Sequence, residues 1–252
     1  MTWFGPPGRE LYYEDSGRGE AVLLLPGWGG AIAELARLRA ELSAGFRVVA
    51  ADLPGSGRSR PQPRQYPATY YADDAALLTG LLDELGIEVA HLAGFSDGGE
   101  EALLIAARQP RRALSVATWG AAGQIEAAPE ALDALATVVD DPPDAFKPLA
   151  AYLAEAYGPD GARIMTSSWA AAMRQIMAAG GDISRSVAGS ISCPALLMTG
   201  SDDPFCPPRL VAAMAAAIPR GEFRELPGAG HDIYQSNYGW LARQLTDWLG
   251  AH

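Results

Sequence analysis

Two hydrophobic patterns alternate along this chain. Ala21-Val22-Leu23-Leu24-Leu25 is an unbroken apolar run, which suits a strand buried on both faces of a parallel sheet. It ends in Pro26-Gly27-Trp28-Gly29-Gly30, too glycine-rich for helix, and helical spacing follows from Ile32 to Leu42. A second strand is expected over Phe46-Arg47-Val48-Val49-Ala50-Ala51. Between Thr69 and Leu85 the spacing puts Leu77, Leu78, Leu81, Leu82 and Leu85 on one face, with Asp73, Asp74 and Asp83 elsewhere, and Gly86 as the stop. Val89 to Ala93 predicts a strand, Asp97 to Arg108 a helix closed before Pro110, and Ala113 to Trp119 another strand. Ahead of all this, Leu11-Tyr12-Tyr13-Glu14 suggests an edge strand closed by the turn Asp15-Ser16-Gly17-Arg18-Gly19.

The texture changes between Gly123 and Gly189. Alanine-rich helical patterns broken by Asp140-Asp141-Pro142-Pro143, Tyr157-Gly158-Pro159-Asp160-Gly161 and Gly180-Gly181 replace the alternation. Met165, Trp169, Met173 and Met177 within them read first as the insertion's own core. Alternation then resumes with a strand over Cys193 to Gly200, a helix over Arg209 to Ile218, a strand over Glu222 to Leu226 and a helix over Tyr238 to Leu249. The expectation is an α/β fold with a mostly parallel central sheet flanked by helices. Residues 1–122 and 190–252 would form its core, and 123–189 a helical cap inserted over the sheet edge.

Composition narrows the partners. The 252 residues are 49% hydrophobic, ample for a buried core. Net charge is −11, from 19 Lys and Arg against 30 Asp and Glu, and the basic residues are scattered. Nucleic acid is therefore an unsuitable partner and a cationic small molecule an electrostatically favoured one. The N-terminal residues lack a basic flank and an apolar h-region, and no later segment has the length and apolarity of a membrane span, so a cytoplasmic location is expected. Cys193 and Cys206 have no CxxC spacing and no sequence-adjacent histidine, which predicts free thiols rather than a metal site. No GxxxxGK[ST] or complete GxGxxG occurs, which argues against nucleotide cofactors.

The candidate chemistry centres on Gly94-Phe95-Ser96-Asp97-Gly98, a Gly-x-Ser-x-Gly between a predicted strand and a predicted helix. That spacing presents a serine on a sharp turn above the C-terminal end of a strand, where open α/β sheets hold ligands. A serine hydroxyl needs a base, usually histidine, oriented by a carboxylate. His231, in Gly228-Ala229-Gly230-His231-Asp232 after the last predicted strand, is favoured. His91 lies inside a strand, and His252 is the last residue and expected to fray. The acid should fall between serine and histidine in the chain, and both Asp202 and Asp203 qualify after the strand ending at Gly200. Backbone donors for an oxyanion would be the N–H of Asp97 at a helix start and that of Trp28, with Gly29 in reserve. No cofactor or metal is needed for this chemistry.

Taken together, Leu23-Leu24-Leu25-Pro26-Gly27, Gly55-Ser56-Gly57-Arg58-Ser59-Arg60-Pro61, Ser96-Asp97-Gly98-Gly99, Trp119-Gly120-Ala121, Cys193-Pro194-Ala195-Leu196 and Gly230-His231 resemble the α/β-hydrolases, and within them the biphenyl hydrolase-like (valacyclovir hydrolase) group of serine esterases. The resemblance implies the α/β-hydrolase fold, the triad Ser96, Asp203 and His231, and hydrolysis of small-molecule carboxylic esters through an acyl-enzyme. It implies further that Asp97 recognises the ammonium of an α-amino acid ester, and it carries Trp169 as a cap residue on the substrate. An acid there has a physical consequence. A carboxylate roughly 5 to 6 Å from a developing oxyanion opposes it by about 3 kcal/mol at an effective dielectric of 20, which a bound ammonium would cancel. Carbon–carbon bond hydrolysis, cofactor-free peroxidation and ligand binding without turnover are the competing uses of the same scaffold.

Overall fold

The apolar run at residues 21–25 divides its side chains between two cores. Val22 and Leu24 pack with Leu38, Leu42, Leu241, Leu245 and Trp248 on one side, whereas Leu23 and Leu25 pack with Leu78, Leu81, Leu82 and Leu103 on the other. Successive side chains of a strand point to opposite faces, so a run that is apolar throughout must be covered twice. In the computed structural model, which describes residues 3–252, that strand lies inside an eight-stranded sheet. The strands are β1 (Trp3–Phe4), β2 (Leu11–Gly17), β3 (Ala21–Leu25), β4 (Arg47–Ala51), β5 (Ala90–Phe95), β6 (Ala113–Trp119), β7 (Ala195–Gly200) and β8 (Gly221–Leu226). Their spatial order is β1-β2-β4-β3-β5-β6-β7-β8; β1 with β2 and β2 with β4 pair antiparallel, and all other pairs are parallel.

Helices α1 (Ala36–Leu42), α2 (Tyr70–Glu84) and α3 (Asp97–Arg108) follow β3, β4 and β5 in turn, as expected. Between β6 and β7 come α4 (Pro129–Ala136), α5 (Lys147–Tyr157) and α6 (Pro159–Ala178), and beyond β7 come α7 (Pro208–Ala217), α8 (Ile233–Ser236) and α9 (Tyr238–Leu249). The excursion between β6 and β7 leaves and returns at one place. Glu100, buried on α3, accepts from the N–H groups of Ala122 (2.8 Å) and Gly123 (2.6 Å) and from Ser184 Oγ (2.7 Å). Gly123 O in turn accepts from the N–H groups of Ile183, Ser184 and Arg185. Met165 and Met173 are fully buried, while Trp169 and Met177 are partly so.

Four details differ from the sequence reading. The first strand runs on through Asp15, Ser16 and Gly17, which pair with Val49, Val48 and Arg47, and it is not an edge because β1 lies outside it. Helix α1 starts at Ala36 because i→i+3 bonds from Glu34 to Ala31 and from Leu35 to Ile32 make tight turns of the preceding residues. Asp74, assigned to the polar side of α2, is buried, for a reason that belongs to the site. His252 rests on the Trp248 ring, centroids 4.3 Å apart. Among the described residues no helix is long and apolar enough to cross a membrane.

Candidate active site

Ser96 joins β5 to α3 with φ +50° and ψ −118°, and it is the one described non-glycine residue with positive φ. A backbone held there is strained, and such strain persists only where the surroundings enforce it. They do so by close approach. A Cβ on Gly94 would come within 2.3 Å of Gly98 O, and one on Gly98 within 2.4 Å of Pro26 O, so a side chain at either position would force the turn open. The Ser96 N–H is fixed on Trp119 O at 2.9 Å.

His231 Nε2 lies 3.1 Å from Ser96 Oγ, and His231 Nδ1 lies 2.8 Å from Asp203 Oδ2. Asp203 is 3% exposed, and its other contacts are all donors: Thr199 Oγ1 to Oδ2 at 3.0 Å, and the N–H groups of Phe205 and Cys206 to Oδ1 at 2.9 Å each. Burial alone would raise its pKa, but the hydrogen bond and charge of His231, with the two backbone donors, hold it below the ordinary aspartate value. An ionised carboxylate only accepts, so Nδ1 carries the hydrogen and Nε2 is free to accept from the serine. The competing Asp202 is exposed and receives Ser201 Oγ instead. His91 is fully buried with Nδ1 on Ser115 Oγ at 2.9 Å, the structural role its strand position suggested.

The glycine loop abuts the serine, since a Cβ on Gly27 would be 3.3 Å from Ser96 Cβ. Among the described residues the Trp28 N–H meets no acceptor, and Asp97, as the first residue of α3, has no partner four residues back within a helix. The two N–H groups expected to face an oxyanion are thus left available on either side of the turn.

Asp97 lies away from solvent. It is 5% exposed, and Oδ2 and Oδ1 accept from the hydroxyls of Tyr70 (2.8 Å) and Tyr71 (2.9 Å). Burial pushes its pKa up to about 6, against the pull of the two tyrosine hydrogen bonds. Trp169 Nε1 donates to Tyr70 Oη at 3.2 Å, and its ring lies 5.1 Å from that of Trp28. Trp28, Asp97 and Trp169, picked out separately along the chain, therefore meet in one cluster. Behind them Ser56, Arg64, Tyr66, Asp74 and Glu101 close around a narrow gap too small to hold a water molecule. Arg64 makes a two-pronged pair with Asp74 (2.6 and 2.8 Å), which is why Asp74 is buried. Glu101 is fully buried, and among the described residues neither of its oxygens faces a donor; burial, then the charges of Asp74 and Asp97, push its pKa well up. It is held neutral beside Asp74.

A model of the alpha/beta hydrolase family matches residues 22–244. The serine hydrolase BPHL of Homo sapiens is 33% identical over 208 residues, covering 79% of this chain and 69% of that protein. A 2-hydroxy-6-oxononadienedioate/2-hydroxy-6-oxononatrienedioate hydrolase of Paraburkholderia phymatum is 29% identical over 276 residues, with 96% and 92% covered. In fold, the 2-hydroxy-6-oxo-6-phenylhexa-2,4-dienoate hydrolase of Rhodococcus sp. strain RHA1 superposes with a TM-score of 0.80 at 22% identity, over 98% of this chain and 96% of that one. The chain belongs to the α/β hydrolase family.

Three features of this hydrolase were invisible in its sequence. Phe205 and Phe95 flank the His231 ring at 5.1 and 4.9 Å, and Phe146 lies 5.9 Å beyond Phe205, so apolar surface borders the imidazole. The Tyr70-Tyr71 pair at the start of α2 solvates Asp97; two adjacent aromatics at a helix start were the only signal, and they carry no periodicity. Cys206, far from any histidine along the chain, converges in space with Asp203 and His231, whose ligand-type atoms all lie within 4.8 Å of one another. The thiol does not suit a metal there. Burial and the nearby carboxylates push its pKa well up, and it donates to Gly120 O at 2.9 Å.

Proposed function

We propose that this hydrolase cleaves small-molecule carboxylic esters through an acyl-enzyme on Ser96. The observation that carries the reading is the continuous hydrogen-bonded line from Ser96 Oγ through His231 to Asp203, with the half-buried serine strained on its turn. Ser96 Oγ attacks the ester carbonyl while His231 Nε2 takes its proton, and Asp203 holds the ring and the charge it gains. The oxyanion is received by the N–H groups of Trp28 and Asp97. His231 then protonates the departing alcohol, and water repeats the sequence to release the acid. The helical segment 123–189 acts as a cap that supplies Trp169 and the Phe146 side of the substrate site.

Within esters, those of α-amino acids are the favoured class. Asp97 is the support for this: with Glu101 neutral, Asp74 and Asp97 stand against one buried cation, Arg64, which is already committed to Asp74. The tyrosine hydroxyls use one acceptor position on each Asp97 oxygen, whereas a carboxylate offers about four. Likeness to the Paraburkholderia hydrolase over nearly the whole chain favours carbon–carbon bond hydrolysis as the second reading.

A fluorophosphonate probe should label the wild-type protein and leave Ser96→Ala unlabelled. No labelling of the wild type would support a ligand-binding protein instead. A substrate panel of amino-acid esters, aryl esters and ring-cleavage diketones then separates the two enzymatic readings.

A further inference from the structure

We propose that Tyr157, at the end of α5 and remote from the triad in sequence, is a positioning residue for the oxyanion donors, so that turnover depends on α5 staying docked against the glycine loop. The inference rests on the serine hydrolase reading above and concerns a residue that reading does not use.

Trp28 and Gly29 are the two central residues of a turn closed by Gly30 N–H on Gly27 O at 3.1 Å. Gly29 has φ +68°, and a loop this rich in glycine has many conformations of similar energy when nothing holds it. The direction of the Trp28 N–H is set by this turn, so whatever holds the turn aims the donor. Most of the grip comes from the excursion between β6 and β7. Tyr157 Oη donates to Gly29 O at 2.7 Å and accepts from the Gly57 N–H at 2.9 Å. A Cβ on Gly29 would come within 3.0 Å of Leu153 Cδ2, one turn earlier on α5. The Trp28 ring packs on Trp169 of α6.

The Gly57 side of the relay is itself anchored. Asp52, 1% exposed, accepts from the Arg58 N–H (2.8 Å) next to Gly57 and from the Ile32 N–H (2.6 Å) at the far end of the glycine loop. Asp52 and Tyr157 therefore tie the same two loops together at two points, one from the sheet and one from α5. Tyr152 also approaches Gly29 O, at 3.2 Å, but its hydroxyl lies 2.5 Å from Glu34 Oε1. A hydroxyl has one hydrogen, and the carboxylate is the stronger acceptor. Tyr157 is thus the donor that fixes the Gly29 carbonyl.

Tyr157→Phe removes one oxygen and keeps the ring. Measured on p-nitrophenyl acetate and normalised to the sites titrated by a fluorophosphonate, kcat is expected to fall about 10-fold, less than the loss of a whole oxyanion donor. KM should stay within about twofold, because the donors act on the transition state more than on bound ester. The rate constant for fluorophosphonate labelling should fall in parallel. A residue that merely supports the fold would lower the titratable fraction or the melting temperature and leave kcat per titrated site intact. That outcome, or a loss confined to KM, overturns the proposal. Should Tyr157→Phe fail to fold, Leu153→Val, which removes the methyl of α5 that lies against Gly29 and keeps every hydrogen bond, carries the test with an expected fall of about 3-fold, and an unchanged kcat there overturns it equally. A wild-type protein that takes no label defeats the serine hydrolase reading itself, a failure distinct from that of Tyr157.

Discussion

The two flanks of Ser96 are built on opposite terms. On the His231 flank the single acid, Asp203, receives four hydrogen bonds and is held ionised. On the Asp97 flank Arg64 is taken by Asp74, Asp97 has only tyrosine hydroxyls, and among the described residues Glu101 meets no donor and the Trp28 indole N–H no partner. The first arrangement stabilises one protonation state, which a base-orienting group needs throughout the cycle. The second leaves negative charge poorly compensated within a wall of aromatic rings, and uncompensated buried charge weakens a fold unless something else binds it. Such tension is expected where a site awaits a ligand. One helix start separates the two, so the same short turn has a fully satisfied acid on one side and a poorly compensated one on the other.

The largest effect should come from the settled side. Asp203→Asn keeps the shape but lets the imidazole adopt the wrong tautomer, and kcat should fall by roughly 10³ to 10⁴, read on the best ester of the panel. A loss below tenfold would mean that the carboxylate is not what orients His231. On the other flank Arg64→Leu leaves Asp74 buried without its partner, and breaking a buried pair on one side typically costs about 3 to 5 kcal/mol. Urea unfolding should register this loss, and a cost under about 1 kcal/mol would show Asp74 to be already neutral beside Glu101.

The smallest effect is the most specific to the contrast. Asp97 has a folded pKa of about 6 against 3.8 for the ordinary group, so the folded protein holds this proton more tightly than the unfolded chain does. Between about pH 4 and 6 the native state binds more protons, and raising the pH there weakens the fold, by up to about 3 kcal/mol from this group. Asp97→Asn removes that dependence. Its stability relative to wild type should improve as the pH is raised from 4.5 to 7, followed by thermal melts at each pH. If the ammonium reading holds, the wild-type preference for amino-acid esters over plain aryl esters should grow as pH passes 6, and in Asp97→Asn that preference should be flat. A relative stability that is pH-independent would remove Asp97 from the unsettled flank altogether.

How far the sequence could be read follows from the range of the interactions involved. Strands β3, β6 and β7 and helices α3 and α9 were legible because local apolar spacing and a few glycines and prolines determine them. His231 and Ser96 were legible because each sits in a glycine-marked turn at a strand end. Asp203 could be separated from Asp202 only by resemblance, since what distinguishes them is which side chain faces an imidazole that comes 28 residues later. Asp74 was misplaced because α2 was read as having one buried face, while its acid is drawn inward by Arg64, outside the helix. Tyr70 and Tyr71 on Asp97, and Tyr157 on Gly29, join segments 26 to 128 residues apart, and no local pattern encodes such pairs.

The carboxylate of Glu100 has a consequence beyond its own hydrogen bonds. Because it receives Ala122, Gly123 and Ser184 together, the β6 end and the β7 end of the chain are stitched at a single point on α3, the helix that begins next to Ser96. The sheet therefore does not register how many residues lie in between, and lengthening a closed excursion costs only a slowly growing loop entropy. The segment between β6 and β7 can therefore be exchanged across that seam as a cassette, while Ser96, Asp97, Tyr70 and Tyr71 stay with the sheet and its helices.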